Sequence, residues 1–430
     1  MEKYKKYKNS GIDWLGEIPE HWNNSHLKRI CKLIKDGTHA SFKRVDKDGF
    51  PLLSVRNIVN NQFINLKDDS LISKEDYLSI VKSFKICQGD IQLAIVGATM
   101  GKVAIVPKLP PFATQRSVAT IRVNDRYLFN RYLFYFIQGV KFQGYLWNNT
   151  NYSAQPGIYL GTIQTTSVFI PPLKEQTEIA NYLDAKTQTI DKKVKLLSEK
   201  ISTYKDYRKT LINQTVTKGL DKNVKLKNSG INWIGEIPKH WEVKRFKSFG
   251  KTIKGKNMEM SDLKFDNSLP LLSLEYLRND SVQHPTFCYS NDKSLKSTNE
   301  DLIIVWDGAA VGEILKSKVG YVSSTIAKLE INKKKFNTRY FYHLRGAIDY
   351  KLKQIPTGMG IPHLNPTLFK NFKCPTPPLK EQQAIANYLD DKTQTIDTII
   401  KNIENQITTL KELRKTLINE VVTGKVKITG

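Results

Sequence analysis

The sequence is short of cysteine, of long apolar runs and of acid. Its four cysteines (Cys31, Cys87, Cys288, Cys374) lie far apart and form no CxxC pair. That excludes a disulfide framework and a cysteine-type zinc site, and it suits a reducing, cytosolic compartment. The seven histidines, at 21, 26, 39, 240, 284, 343 and 363, carry no HExxH or other ligand spacing, so no metal site is expected. The longest purely apolar stretches, such as Leu302–Trp306, are strand-sized and fall far below the roughly 20 residues needed to span a bilayer. The N-terminal MEKYKKYKNSG is basic with no apolar segment behind it, which does not read as a signal peptide.

Catalytic signatures are missing too. GATMGK at 97–102 has three residues between its glycines and is followed by Val103. A phosphate loop needs four, then Ser or Thr after the Lys. No GxGxxG follows a strand, and Asn365-Pro366-Thr367 does not supply the Asn/Asp-Pro-Pro-aromatic segment that holds a flipped adenine. A Gly-rich turn between two strands is the reading of GATMGK, with Lys102 placed to approach a phosphate. No catalytic residue is expected.

What is abundant is positive charge. Against 41 Asp+Glu stand 67 Lys+Arg, a formal net charge of +26. An acidic polymer is therefore the leading partner class, nucleic acid first and an anionic membrane surface second. Hydrophobic residues make up 40% and aromatics 10% of the 430 positions, enough to build real cores, and the length corresponds to two or three domains.

The chain contains itself twice. KNSGIDWLGEIPEHW (8–22) answers KNSGINWIGEIPKHW (227–241), and PLLSVRNI from Pro51 answers PLLSLEYL from Pro270. GDIQLAIVGATMGK (89–102) answers EDLIIVWDGAAVGE (300–313), Arg131-Tyr132 answers Arg339-Tyr340, and RKTLIN at 208–213 recurs at 414–419. PPLKEQTEIANYLDAKTQTID (171–191) answers PPLKEQQAIANYLDDKTQTID (377–397). The losses in the second copy fall between these anchors, where surface loops belong.

Each copy ends in a helix. From Glu175 to about Val216 there is neither Gly nor Pro. Ile190, Val194, Leu197, Ile201, Tyr204, Arg208 and Leu211 recur in steps of four and three, as do Ile396, Ile400, Ile403, Ile407, Leu410, Arg414 and Leu417. That is heptad spacing. Pro171-Pro172 and Pro377-Pro378 mark the starts, and Gly219 and Gly424 follow the ends. Two such helices in one chain most simply pack on each other. The parts before them are mixed: Ile91–Val96, Val103–Val106, Val118–Val123 and Leu302–Val305 read as buried strands, and Tyr127–Ile137 and Phe336–Leu344 as aromatic-rich helices.

Partitioning the charge separates the partner classes. Residues 1–170 carry a net +10 and 221–376 a net +11, whereas 171–220 carry +4 and 377–430 only +1. A basic amphipathic membrane helix would put the excess on the helices. Two basic globular heads fit double-stranded DNA better. Candidate DNA contacts in the first head are Lys35, Lys43, Arg44, Arg56, Lys102, Arg116 and His39, which lies in the polar loop DGTHASFKR; in the second they are Lys254, Lys256, Arg278 and Lys293. His21 and His240, with Trp14, Trp22, Trp233 and Trp241, read as packing residues of an N-terminal lasso tucked over the sheet.

The motif SGIDWLGEIPEHW, the segment DGTHASF, the GDI…GATMGK stretch, and the PPLKEQ start of a long helix, with most of these duplicated, resemble the DNA-specificity subunit of Type I restriction-modification enzymes. The resemblance covers essentially the whole chain, and the doubled PPLKEQ(x)xIAxYLD…TxxID is its most specific part. It implies an α+β chain with target-recognition domains at 1–170 and 221–376, and long spacer helices at 171–220 and 377–430 packed as an antiparallel coiled coil. It implies a non-catalytic subunit that reads a split, asymmetric DNA site. Partners would be two methyltransferase subunits, which hold S-adenosylmethionine, and two restriction/translocase subunits, which hold ATP and Mg. The setting would be a prokaryotic cytoplasm, and the helical rod would act as a ruler between half-sites. At three points the copies depart from each other: DGTH at 36–39 reads against GKNM at 255–258, Lys102 against Glu313 and Arg56 against Glu275. The rival from another class is a nonspecific architectural DNA scaffold, which predicts a steep salt dependence with little sequence preference.

Overall fold

The computed structural model describes residues 2–152, 155–279, 285–348 and 362–428. The chain divides into two compact units, Met1–Ser198 with Glu404–Gly430, and Glu199–Ile403. Each unit thus contains one globular head, the start of the helix that follows it, and the end of the other long helix.

The first head is built on a sheet of β1 (Cys31–Asp36), β2 (Ile58–Val59), β3 (Gln62–Phe63), β4 (Ile91–Ala94), β5 (Val103–Ile105) and β6 (Val118–Val123), in the order β1-β6-β4-β5-β3-β2. The central strands β4 and β6 are covered on both faces: Ile91, Leu93, Ala119 and Ile121 lie on one, and buried Gln92 and Thr120, hydrogen-bonded at 3.2 Å, on the other. The helix α1 (Asn130–Gln138) lays Tyr132, Leu133, Phe136 and Ile137 on this core. The second head repeats the frame with β7 (Gly250–Lys254), β8 (Leu302–Val305), β9 (Ile314–Lys316) and β10 (Ile326–Ile331), in the order β7-β10-β8-β9, and with the short helix α3 (Thr338–His343). The predicted strands hold, ending two residues early at Ala94 and one early at Ile105, because Ile95 and Val96 turn out to meet Ser117 and Gly157.

The two long helices are α2 (Leu173–Lys218) and α4 (Leu379–Val422). Along residues 191–210 of α2, Val194, Leu197, Ile201, Tyr204 and Arg208 are the positions withdrawn from solvent, which are the heptad positions read from the sequence. In α4 the same set recurs, joined by Ile399. Within the first unit Ile179 and Leu183 of α2 share a core with Leu417, Ile418, Val421 and Val422 of α4; within the second, Val216 of α2 shares one with Ile385 and Leu389 of α4. In both units the start of one helix meets the end of the other, so the pairing is antiparallel. Both helices stop at a glycine in the left-handed region, Gly219 (φ 77°) and Gly424 (φ 70°).

The duplicated PPLKEQ motif is explained by this packing. Gln176 is fully buried: its Oε1 accepts from the amide of Phe129 at 2.8 Å, and its Nε2 donates to the carbonyls of Tyr127 and Pro171 at 3.0 and 2.8 Å. Gln382 makes the matching bonds to Asn337 and Pro377, at 2.7 and 2.8 Å. One buried, hydrogen-bonded amide fixes each helix to its head. The acid before it receives the N-terminal lasso. Glu175 accepts from Trp22 Nε1 at 3.1 Å, from His21 at 2.9 Å and from the Tyr4 hydroxyl; Glu381 meets His240 at 2.9 Å. This corrects two expectations. His21 and His240 are exposed partners of a helix-start carboxylate rather than packing residues, since only Trp22 and Trp241 are buried. The lasso also covers helices rather than the sheet, with Trp14 stacked on Tyr145 at 4.8 Å.

Candidate nucleic-acid interface

The sheet register gathers most of the candidate cations at one end. Asp36 pairs with Ala119, Val118 with Ala94, and Leu93 with Val103, so the end of β1, the start of β6 and the β4–β5 turn lie side by side. Past that end the loops remain tied: Thr38 N donates to Thr114 O at 2.8 Å, Arg116 N to Thr38 O at 3.0 Å, and Ile95 N to Ser117 O at 2.9 Å. Lys35, His39, Lys102 and Arg116 therefore stand around one sheet edge. Lys43 and Arg44 follow in the loop leaving it, and both are exposed.

Gly37 is what lets the loop close. A Cβ there would lie 2.1 Å from Thr114 O, so only glycine admits the approach. The second head has the same joint at Gly255, where a Cβ would lie 2.1 Å from Ser323 O. The glycines GATMGK and DGAAVGE also share a conformation, with Gly97 and Gly101 both at φ 89° and Gly308 and Gly312 at 103° and 86°. This is the Gly-rich turn expected between β4 and β5.

Matching these joints changes the alignment of the copies. Cys31 pairs with Val123 as Gly250 pairs with Ile331, but the register of β1 on β6 shifts between Val123 and Arg122, where Leu33 is the next partner. The bulge holds one residue that β7 lacks. Asp36 opposite Ala119 therefore answers Lys254 opposite Ala327. DGTH at 36–39 corresponds to KGKN at 254–257, not to GKNM, and His39 stands against Asn257 rather than Met258.

The side chains at this end are differently engaged. In the first head Lys35 donates to Ser83 Oγ at 3.1 Å and His39 meets Asp36 at 2.6 Å, while Arg44 donates to Phe42 O within its own loop. Arg56 lies in the short turn after residues 50–53 and is held by Asp68 and Asp69, both at 3.0 Å, which push its pKa further up. Lys102 and Arg116 are exposed and meet no carboxylate among the described residues. In the second head Lys254 pairs with Asp307 at 3.1 Å, beneath Trp306, and Lys256 pairs with Asp292 at 3.1 Å. Hydrogen bonds from Ser294 and Lys256 hold the carboxyl of Asp292 down at about 2. Arg278 is bidentate on Glu313, the residue that replaces Lys102. Lys293 is exposed beside Asp292.

Sequence reasoning missed the carboxylates Asp36, Asp292, Asp307 and Glu313, and it missed His363, whose Nδ1 meets Asp307 at 2.6 Å. His284 lies outside the described residues. Among the described residues no cluster of His, Cys, Asp and Glu is placed to hold a metal, and no helix is long and apolar enough to cross a membrane.

The comparisons with known proteins agree with the duplicated frame. The family described as the Type I restriction modification DNA specificity domain matches residues 19–200 and 238–409. The type I restriction enzyme MjaX specificity subunit of Methanocaldococcus jannaschii is 26% identical over 434 residues, covering 96% of each chain. Among solved structures, a chain from a study of the assembly and conformational transition of the type I R-M system matches with TM-score 0.74 at 17% identity, covering 95% of this chain and 99% of that one. The HsdS subunit from Thermoanaerobacter tengcongensis matches with TM-score 0.54 at 17% identity, covering 95% and 98%.

Proposed function

The chain belongs to the Type I restriction-modification DNA specificity family, and from that premise we propose that it reads a bipartite, asymmetric double-stranded DNA site, one half with each head. The observation that carries this reading is the repeated sheet end with different side chains on it. Asp36 stands where Lys254 stands in the other copy, His39 where Asn257 stands, and Lys102 where Glu313 stands. One frame presenting two chemistries suits two unlike half-sites, because base edges in the major groove are told apart by donor and acceptor pattern.

In this reading the chain contributes recognition and no chemistry. Methyl transfer to adenine rests with two methyltransferase subunits that bind S-adenosylmethionine, and cleavage with two restriction/translocase subunits that hold ATP and Mg, in a prokaryotic cytoplasm. The continuous helices α2 and α4 set the gap between half-sites. At 1.5 Å per residue, removing seven residues from each shortens them by about 10 Å, equivalent to roughly three base pairs at 3.4 Å each.

Mapping of adenine methylation in cells with and without this gene tests the reading. A split motif that disappears with the gene is the expected result. An unchanged methylation pattern, or one continuous palindrome, rejects it. The shortened-helix variant addresses the spacer separately, and an unaltered gap in its motif rejects the ruler alone.

A further inference from the structure

The two heads differ in how the charge at the sheet end is compensated. In the first, Lys102 projects from the Gly-rich turn, Arg116 from the turn before β6 and Lys43 from the loop after β1. All three are exposed and none meets a carboxylate among the described residues. In the second, Lys254, Lys256 and Arg278 carry their counter-charges with them, on Asp307, Asp292 and Glu313. Of the candidate cations there, Lys293 alone has no carboxylate against it among the described residues.

We propose that the sheet end of the first head is the electrostatic anchor of the DNA complex, and that the sheet end of the second contributes selectivity with little phosphate attraction of its own. This rests on the DNA-reading function proposed above. An uncompensated cation that neutralises a phosphate releases a condensed counterion, and each such contact steepens the salt dependence by about 0.9 in the log–log slope. An ammonium or guanidinium already facing a carboxylate about 3 Å away is close to a neutral dipole when viewed from a Debye length of about 10 Å. To serve a phosphate it must leave that carboxylate exposed beside the phosphate, which is unfavourable. The paired acids are nevertheless useful at a groove. Glu313, oriented by two bonds from Arg278, and Asp307, held by Lys254 and His363, are fixed acceptors of the kind that take a hydrogen bond from the amino group of cytosine or adenine. The Lys102-to-Glu313 exchange, at one position of one turn, changes the sign of the charge there.

The test uses the full-length chain in the methyltransferase complex assembled in its host. Affinity is measured by fluorescence anisotropy on a duplex bearing the mapped methylation motif and on a random duplex, across about 50 to 300 mM KCl, where phosphate-dominated binding changes most. Two triple sets of changes are compared: K43Q/K102Q/R116Q, and the pair neutralisations K254Q/D307N, K256Q/D292N and R278Q/E313Q together, which remove each cation with its carboxylate. All six cations are exposed or about half-exposed, and a thermal melt confirms folding of each variant; the single change K102Q and the single pair R278Q/E313Q serve if a triple set melts early. The first triple should lower the slope by about 2 to 3 on both duplexes and leave the ratio of motif to random affinity unchanged. The second should change the slope by less than about 1 and collapse that ratio. Equal loss of slope in the two triples, or a larger loss in the second, overturns the anchor assignment. Failure of the unaltered complex to prefer the motif over random DNA is a different result, which rejects the DNA-reading function itself.

Discussion

Arg414, near the end of α4, donates from Nε to a carboxylate oxygen of Asp191 on α2 at 3.1 Å. In the second unit Arg208 of α2 reaches Asp397 of α4 by a hydrogen bond from Nη2 at 3.2 Å, with its Nε 3.0 Å from the other carboxylate oxygen. The partners are the arginine of the repeated RKTLIN and the last aspartate of the repeated TQTID, each reaching the other copy's helix. Both arginines occupy heptad positions and lay their stems along the seam while the guanidinium stays at its edge. An apolar residue there would pack as well but would tolerate sliding by a turn; the ion pair does not.

Removing either carboxylate should therefore cost little stability but more register. D191A and D397A should each lower the unfolding free energy by about 0.5 to 1 kcal/mol, the range for half-exposed pairs. A double-mutant cycle with R414A or R208A should return a coupling of similar size, since the residues touch. The exchange R414D/D191R should recover most of the loss. Urea denaturation of the single, double and exchanged variants checks this, and a coupling energy near zero would show that the pairs only decorate the seam.

The heptad stripe could be read from the sequence because a 3-4 repeat is local and survives any tertiary arrangement that buries it. The strands β4, β6 and β8 were visible for the same reason, as short apolar runs bounded by Gly and Asp. The bulge in β1 was not. Nothing in CKLIKD marks the extra residue, which appears only when the strand is laid against β6, and without it the DGTH loop is matched one residue out of step. The compensating acids were equally invisible, since Asp307 and Glu313 are 53 and 35 residues from the cations they hold. The +26 charge announced attraction to DNA, but its uneven neutralisation is a tertiary property.

His343 and Asp390 should give the second unit a pH dependence that the matching pair of the first, Tyr135 and Asp184, does not supply. His343 is buried and meets Asp390 at 2.8 Å; burial pulls its pKa below the usual imidazole value, and the aspartate restores only part. Asp390 is raised by its own burial but lowered more by His343 and Arg339, and it ends below the usual carboxylate range. The unfolded histidine titrates near about 6.5 and the folded one lower, so its contribution is present above about pH 6.5 and is lost as pH falls through that interval. The aspartate's contribution is lost only further down, below about pH 4. In the first unit Tyr135 occupies the matching place and donates to Asp184 at 2.7 Å. H343Y should therefore flatten the fall in melting temperature between about pH 7 and 5.5. An unaltered slope in that variant would place the effect elsewhere.

Gly37 and Gly255 join the recognition loops to the sheet by close backbone contact. At each, a methyl group would overlap a carbonyl oxygen that belongs to the backbone and cannot swing aside. G37A and G255A should each destabilise their unit by about 1 to 3 kcal/mol, the range for overpacking, and should weaken binding to the methylation motif beyond what lost stability explains. G144A and G161A, where a Cβ meets nothing within 4 Å, serve as controls. Matching losses in all four would show that the joints carry no special constraint.

Tyr132 and Tyr340 close the opposite helix in each unit. Tyr132 is buried under the end of α4, and its hydroxyl lies 3.2 Å from Phe169 O and 3.4 Å from Val422 O; Tyr340 stands under the end of α2, at 3.0 Å from Val216 O and 3.3 Å from Pro375 O. Val216 and Val422 lie in the last turns of their helices, where carbonyls have no partner within the helix. One phenol in each head thus satisfies a helix end and the strand edge beside it. Burial raises both phenols well above their ordinary pKa, so they remain donors at any working pH. Y132F and Y340F keep the ring and remove only the donor, at a cost of about 1 to 2 kcal/mol each for carbonyls left buried and underbonded. The loss should be local. Hydrogen exchange should quicken in the last turn of α4 for Y132F and of α2 for Y340F, with the heptad centres unchanged. Uniform acceleration along a helix would mean that the phenol holds the whole pairing together rather than its end.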